Sequence, residues 1–338
     1  MALPQLSLIN ALAFLFTTCL LTTLLYALSN LYLHPLRRFP GPLLNASFHL
    51  PYVTHNIRGT LPSHVLSLHQ KYGPIVRISP NQLAFTDPAA WPDIYGLQPG
   101  RVQNKKDQAA YTPPADEMFD GATGIIHAGD GAHARLRRIY GQAFTPKAIE
   151  GLAGMLVKNL EVLEKVKKEV RTAFEQEDEI TPTTVDDLEY MIAVLSEGLR
   201  IFPPTGFGFP RIISSKGGQN VAGHWIPEQT RCSVFHHAAY RYEGNFARAE
   251  EFIPERWLAN APAEFRDDKR DVVQPFMVGP RGCIGKSLAH AEMRLLLAKM
   301  LYNFDFELAG PELWHEKLRS YLIWERTPLL IRLKNVQR

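Results

Sequence analysis

The chain has 338 residues, which is enough for one large domain or two ordinary ones, and 46 % of them are hydrophobic, enough to fill a sizeable core. The 37 basic and 34 acidic residues nearly balance, which argues against a nucleic-acid partner. Three cysteines are too few, and odd in number, for a disulfide framework, so we expect the folded part to lie in a reducing compartment.

The N-terminus is predicted to be a membrane anchor. Residues 1–36 contain no Asp, Glu, Lys or Arg, and residues 6–33 are dominated by Leu, Ala, Phe and Thr. Spanning a bilayer takes about 20 mostly apolar residues, and this run is long enough. A cleaved secretory signal is the alternative, but such a signal starts with a basic segment and has a shorter apolar run. Arg37 and Arg38 follow the run, which places the remainder of the chain on the cytosolic side.

The rest of the chain is predicted to be mainly α with small β sheets. The Phe-Pro-Gly-Pro segment 39–42 should end the anchor helix, because proline cannot continue it. Apolar periodicity predicts helices over residues 63–72 and 156–175, and further helices are expected over residues 133–144, 185–201 and 287–304. Alternation and turn residues predict a hairpin of residues 75–78 and 82–85, with further strands near 219–222 and 232–235.

The stretch FMVGPRGCIG (276–285) is the most informative part of the sequence, because it places Cys283 among three glycines directly before a predicted helix. Glycine permits positive φ and a close approach of the backbone to a flat cofactor. The positive end of the following helix favours a thiolate over a thiol. Arg281 supplies a cation that suits a carboxylate. The alternative interpretation is a buried structural cysteine beside a glycine-rich turn.

This stretch resembles the cysteine-loop signature FxxGxRxCxG of the cytochrome P450 family, and every specified position matches. The resemblance implies heme b as the cofactor, with Cys283 as the axial thiolate ligand of its iron. It further implies that Phe276 covers the proximal face of the heme and that Arg281 pairs with a propionate. Gly279 and Gly285 would belong to the same cofactor-binding loop.

A charged triad is predicted from two further motifs. Glu197 and Arg200 lie three residues apart and therefore share one helix face. Taken alone they would be a surface ion pair, which contributes little to stability. The helix around them is largely apolar, however, which indicates that the pair is buried. The segment PERW (254–257) offers a second guanidinium, that of Arg256. These motifs resemble the ExxR helix and the PERF-like motif of the family, and the resemblance implies a structural network that holds the cysteine loop in place.

Other heme contacts are implied by the same resemblance. The segment HARLR (133–137) resembles the WxxxR helix of the family, with His133 in place of Trp, so that His133 and Arg137 would reach propionates. Arg211 lies where relatives carry another propionate-binding arginine. An isolated His133 would more often be a surface histidine.

One piece expected in this family is missing from the chain. Arg137 and Arg200 are too close in sequence for the several helices that the family places between them. The missing part includes the distal helix with its AGxxT motif, and no acid–Thr pair on an apolar helix replaces it. We therefore predict two regions, an anchor of residues 1–36 and a heme-thiolate domain of residues 37–338 with a deletion near 150–156.

The expected function is that of a heme-thiolate monooxygenase. The resemblance implies that it inserts one oxygen atom from dioxygen into a small apolar substrate, with electrons from an NADPH-dependent cytochrome reductase. Its segments HPLRRFPGP and FIPERWL resemble fungal members that act in secondary-metabolite, mycotoxin-like biosynthesis, and the expected location is the endoplasmic reticulum membrane. Two alternatives stay open: a catalytically incompetent heme-binding remnant, and a membrane-bound interaction protein without heme.

Overall fold

The computed structural model describes residues 8–107, 149–310, 319–321, 324–325 and 330–336. In these ranges the helices are α1 (Leu8–Leu28), α2 (Leu43–Ser47), α3 (Leu50–Ile57), α4 (Leu61–Tyr72), α5 (Ala90–Tyr95), α6 (Ile149–Lys158), α7 (Leu160–Ala173), α8 (Glu189–Ile201), α9 (His236–Arg241) and α10 (Lys286–Asn303). The strands are β1 (Ile75–Ser79), β2 (Gln82–Phe85), β3 (Lys105–Lys106), β4 (Arg211–Ile212), β5 (Gln219–Val221), β6 (His224–Ile226), β7 (Arg231–Val234), β8 (Phe304–Leu308) and β9 (Ile331–Asn335).

The strands form one five-stranded sheet and two hairpins. The sheet has the order β1-β2-β7-β4-β3, and its pairs are antiparallel except for the parallel pair of β2 and β7. In the centre of this sheet Cys232 of β7 lies between Leu83 of β2 and Arg211 of β4. β5 pairs with β6, and β8 pairs with β9. The prediction of a mainly helical chain with small sheets is confirmed.

The N-terminal helix is long and apolar enough to cross a membrane. The segment Asn10–Leu33 has 24 residues and a mean hydropathy of 2.0. α1 continues through a π-helical turn, Ser29–Leu33, and the helix then stops at His34, whose ψ of 140° is extended. The predicted stop at residues 39–42 was therefore too late, because Pro35 already forces the residue before it out of the helical region.

The main hydrophobic core lies between helices α6, α7, α8 and α10. Val166 of α7, Met191 of α8 and Leu297 of α10 are at most 1 % exposed and belong to one cluster of buried side chains. Each Å² of apolar surface removed from water contributes roughly 25 cal/mol of stabilising free energy, and this contribution holds such a bundle together. This core carries α8, which bears Glu197 and Arg200, and α10, which directly follows the stretch around Cys283.

A second core lies between the five-stranded sheet and α5. It contains Phe85 of β2, Val234 of β7 and Trp91 of α5, all of them nearly or fully buried. The Trp91 indole Nε1 donates a hydrogen bond to the Val272 carbonyl at 2.9 Å, which attaches α5 to the segment that leads into the cysteine loop. The sheet and the bundle therefore meet close to that loop.

Two predicted helices differ from the observed ones. The helix expected over residues 156–175 is two helices, because Asn159 breaks the chain with φ −115° and ψ 73°. The helix expected from residue 185 begins at Glu189, since residues Thr184–Asp187 form a separate 3₁₀ turn and Leu188 is not helical. At Asn159 the side-chain amide donates to the Met155 carbonyl at 2.8 Å, a local bond that competes with continuation of the helix.

Candidate heme-thiolate site

The cysteine loop folds into a tight turn directly before α10. The Cys283 N–H donates to the Phe276 carbonyl at 2.7 Å, and the Gly282 N–H donates to the Gly279 carbonyl at 2.9 Å. Gly279 has a φ of +76°, and a Cβ built on it would lie 2.1 Å from the Tyr95 carbonyl oxygen. Only glycine fits at this position, because both the backbone conformation and the contact exclude a side chain.

Cys283 is an exposed free thiol, whereas Cys232 is a buried one. Complete burial raises the pKa of the Cys232 thiol, so this side chain stays protonated in the centre of the sheet. Cys19 lies in α1, within the apolar segment. Among the three cysteines, Cys283 alone combines an exposed sulfur with a turn of glycines and a following helix of 18 residues.

Phe276, at the start of the loop, packs against α10 and the main core. Its ring centroid lies 4.9 Å from that of His290, at an interplanar angle of 54°. The two rings line a cavity of about 130 Å³ together with Leu199 of α8 and Trp257. The loop is thereby held from one side by the bundle.

Glu197 is the centre of a fully buried network on α8. Its carboxylate accepts two hydrogen bonds from Arg200, at 2.8 and 2.7 Å, and a third from Arg256 at 3.2 Å. The Ile253 N–H and the Trp257 indole N–H each donate to it at 2.8 Å. All three charged side chains are 0 % exposed. The pattern of charges three apart on an apolar helix therefore lies inside the protein.

The two arginines reach beyond Glu197 to other groups. Arg200 donates to the carbonyls of Tyr240, Ala249 and Glu251 at 2.7–2.8 Å. Arg256 forms an ion pair with Asp268, whose side chain is 2 % exposed. Two carboxylates thus balance two guanidinium groups, which is what burial of charges requires. Sequence analysis missed Asp268, because no local spacing relates it to the PERW segment.

A short chain of hydrogen bonds joins this network to the cysteine loop. Arg200 holds the carbonyl of Tyr240 at the end of α9, and the hydroxyl of Tyr240 accepts from the Gln274 N–H at 2.8 Å. Gln274 lies two residues before Phe276. The Gln274 carbonyl in turn lies 3.3 Å from Nε2 of the buried His236. α9 therefore connects the charged network to the start of the loop.

Arg211 lies on β4 and is 5 % exposed. Its guanidinium stacks on the ring of Tyr95 at 5.3 Å from the centroid, and the carbonyl of the same Tyr95 faces Gly279. The structure thus brings Arg211 close to the cysteine loop through one shared residue. Arg281 is partly buried within the loop. The predicted contacts His133 and Arg137 lie outside the described residues.

Comparison with known proteins identifies the family. The family model for cytochrome P450 matches residues 151–326, slightly more than half of the chain. The chain therefore belongs to the cytochrome P450 family, whose members carry a heme iron with a cysteine thiolate ligand and are oxidoreductases.

Curated relatives from fungi match nearly the whole chain. A cytochrome P450 monooxygenase, traB of Penicillium crustosum, is 27 % identical over 476 residues that cover 90 % of this chain and 92 % of the relative. The averantin hydroxylase of Dothistroma septosporum is 29 % identical over 478 residues, with 93 % and 89 % covered. These alignments are longer than the 338 residues of the chain. This chain therefore fits a shortened form of its relatives.

Among solved structures, a retinoic acid-bound cyanobacterial P450, CYP120A1, is similar to this chain with a TM-score of 0.48 and 24 % identity. The match covers 56 % of this chain and 42 % of that chain.

The residues of the loop suit the cofactor of the family. An exposed thiol offers the soft ligand that heme iron takes in this class, and the missing side chain at Gly279 allows the loop to fold flat against Tyr95. Arg211 and Arg281 provide guanidinium groups of the kind that pair with carboxylates such as propionates.

Proposed function

We propose that this chain is a membrane-anchored heme-thiolate monooxygenase that inserts one oxygen atom from dioxygen into a small apolar substrate. The observation that carries the proposal is the exposed thiol of Cys283, presented by a turn whose Gly279 admits no side chain. When bound, the heme supplies the iron chemistry of oxygen activation, which a thiolate ligand promotes. Cys283 would hold the iron, Phe276 would cover the proximal face, and Arg211 and Arg281 would bind the propionates.

His133 and Arg137 complete the set of proposed propionate contacts. Glu197, Arg200 and Arg256 take a structural role in this proposal, because none of them is exposed to a ligand. Their network fixes α8 and, through Tyr240, the start of the loop.

The proposed substrate class is a fungal secondary metabolite. Support comes from the curated relatives, among them a protein named averantin hydroxylase and a cytochrome P450 monooxygenase, alt3, of Alternaria solani that is 27 % identical. Electrons would come from an NADPH-dependent cytochrome reductase in the same membrane.

The proposed arrangement has an anchor of residues 1–36 and a heme domain of residues 37–338 on the cytosolic face of the endoplasmic reticulum. Support comes from the apolar segment Asn10–Leu33 and from the two arginines that follow it. Two hydrogen bonds of the buried Asn30, near the end of this segment, would hold the helix against the domain. Its side-chain amide donates to the Ser47 carbonyl at 2.9 Å, and its carbonyl accepts from Arg77 at 3.0 Å.

A second candidate function is that of a heme-binding remnant without turnover, and it is favoured by the length of the chain. Reconstitution with a microsomal reductase and NADPH, followed by analysis of averantin for added oxygen, distinguishes the two. Oxygenated product that depends on NADPH supports the monooxygenase. Heme-loaded protein that forms no product with any substrate supports the remnant.

A further inference from the structure

We propose that a cavity of about 560 Å³ at the C-terminal end of α8 is a second ligand site, and that it binds a small aromatic carboxylic acid. Among the described residues that line it, the ones that carry the argument are Lys158, Phe202, His237, Arg241, Glu250 and Trp324. None of the described residues that line it belongs to the cysteine loop, and the proposal does not rest on the proposed heme site.

Two residues that line this cavity each have a buried polar atom without a hydrogen-bond partner among the described residues. These atoms are Nε of Arg241 and Nδ1 of His237, which is 8 % exposed. The other nitrogens of Arg241 are used: Nη1 pairs with Glu250 at 2.6 Å, and Nη2 donates to the Ile201 carbonyl at 2.7 Å. A guanidinium cannot lose its proton, and a buried N–H without an acceptor is costly. An acceptor supplied by a ligand would satisfy the unpartnered Nε–H of Arg241.

The charges around the cavity favour an anion. Glu250 is bound to Arg241, and Glu251 is bound to Arg248, so both acidic groups of the wall already have a cation. Lys158 lies at the exposed rim and forms no ion pair within the described ranges. A carboxylate placed between Lys158 and Arg241 would gain charge-assisted hydrogen bonds, which are stronger than neutral ones.

The opposite wall of the cavity is aromatic. The ring of Trp324 stacks on Phe202 with centroids 5.7 Å apart and an interplanar angle of 21°. The same indole meets His237 edge-on at 5.4 Å and is fixed by its N–H, which donates to the Pro203 carbonyl at 2.7 Å. Aromatic rings pack well against such surfaces. The volume also lies within the range of roughly 300–1,000 Å³ that is usual for small-molecule sites.

Occupancy of this site should strengthen the charged network. Arg241 holds the last turn of α8 through the Ile201 carbonyl, and the Glu251 carbonyl accepts from Arg200 at 2.8 Å. A ligand that satisfies Arg241 would therefore stabilise the segment that Arg200 also uses. The expected signature is a higher unfolding temperature in the presence of the ligand.

The test uses benzoate as the probe and the full chain in detergent. Isothermal titration should give saturable binding of one benzoate per chain, with benzyl alcohol binding clearly more weakly because it has no charge. Lys158→Gln should weaken benzoate binding roughly tenfold through loss of one charge-assisted contact. Lys168→Gln is the matched control, since Lys168 is an exposed lysine on α7 that does not line the cavity, and it should bind benzoate as the unchanged chain does.

Replacing Arg241 would most readily misfold the chain, so the second variant changes Trp324 instead. Its benzoate binding is followed by calorimetry and by tryptophan fluorescence. Trp324→Phe keeps an aromatic wall, so it should retain the heat of binding but lose most of the change in tryptophan fluorescence. The proposal is overturned if benzoate binding does not saturate, if benzyl alcohol binds equally well, or if Lys158→Gln binds like Lys168→Gln. It is also overturned if benzoate shifts the heme absorption with the same midpoint, because the ligand would then lie at the iron.

Discussion

Glu197 is the residue on which most of the buried hydrogen bonds of α8 converge. Both of its oxygens are occupied, by Arg200, Arg256, the Ile253 N–H and the Trp257 indole. Because the guanidinium groups are 0 % exposed, they depend on this carboxylate and on Asp268 for their charge balance. An unpaired buried charge is far more costly than an unpaired surface charge.

Glu197→Ala should therefore prevent accumulation of folded, heme-bound protein. Removing one partner of a buried network costs roughly 3–5 kcal/mol, a large part of the stability of an ordinary domain. The measurement is the heme content of purified protein together with its urea midpoint. Glu255→Ala is the matched control: its pair with Lys165 is exposed and the bond it accepts from the Tyr190 hydroxyl is part-buried, so it should cost about 1 kcal/mol. Normal heme content with low activity in Glu197→Ala would instead indicate a catalytic role.

At the scale of elements, α9 connects the charged network to the cysteine loop. Its Tyr240 offers the carbonyl to Arg200 and the hydroxyl to the Gln274 N–H. Tyr240→Phe removes only the second contact and leaves the part-buried Gln274 N–H without this partner, at a cost of about 1 kcal/mol.

We expect Tyr240→Phe to lower heme retention more than overall stability, because the lost bond lies next to Phe276. Heme release to apomyoglobin, compared with the urea midpoint, separates the two effects. Tyr302→Phe is the control, since its hydroxyl bonds to the Glu175 carbonyl, away from the loop. Equal heme release from the two variants would contradict the connecting role of α9.

Buried histidines make the fold sensitive to acid. Burial lowers the pKa of His69 on α4 to about 4, and it does the same for His236 on α9. The unfolded chain takes up protons at these sites from about pH 6.5 downward, so the free energy of unfolding should fall as the pH falls from about 6.5 to 4. Each histidine contributes a slope of up to about 1.4 kcal/mol per pH unit.

His69→Asn should reduce this slope, because Asn can still donate to the Gly73 carbonyl that His69 contacts at 2.8 Å but does not titrate. Urea unfolding at a series of pH values measures it. His224→Asn, an exposed control, should leave the slope unchanged. A slope in His69→Asn that equals that of the unchanged chain would contradict the assignment.

Some elements could be predicted from the sequence and others could not. α10 and the hairpin of β1 and β2 were predicted within one residue at each end, because turn-forming residues mark their ends: Pro80 and Asn81 separate the two strands, and Gly285 precedes the helix. The division at Asn159 and the position of Asp268 were not predictable, since one depends on a single backbone conformation and the other on a contact between distant segments. The pairing of Arg211 with the ring of Tyr95 was missed for the same reason.

At the scale of the whole molecule, the decisive feature is the length of the chain. α6, which precedes α7, has no acid–Thr pair in its sequence IEGLAGMLVK. We therefore propose that the chain lacks a complete distal wall and that water reaches the heme pocket, although oxygen chemistry needs a shaped site that excludes water.

The chain should accordingly couple NADPH use to product formation poorly. The measurement is oxygenated product per NADPH consumed, compared with a chain that carries the distal segment of a relative inserted between Glu150 and Leu156. The restored chain should give a much higher ratio. A short chain that reaches the same ratio would contradict the prediction and would mean that another segment fulfils the distal role.

The carbon monoxide difference spectrum of the reduced protein, recorded against reduced protein without carbon monoxide, tests most directly whether Cys283 holds the iron. A thiolate ligand gives the red-shifted Soret band of this family, so the full chain should show that band. Cys232→Ala should keep the band, because Cys232 is buried in the sheet, and Cys283→Ser should abolish it while the other cysteines are intact. A red-shifted band that survives in Cys283→Ser, or that is absent from a heme-loaded unchanged chain, would contradict the assignment.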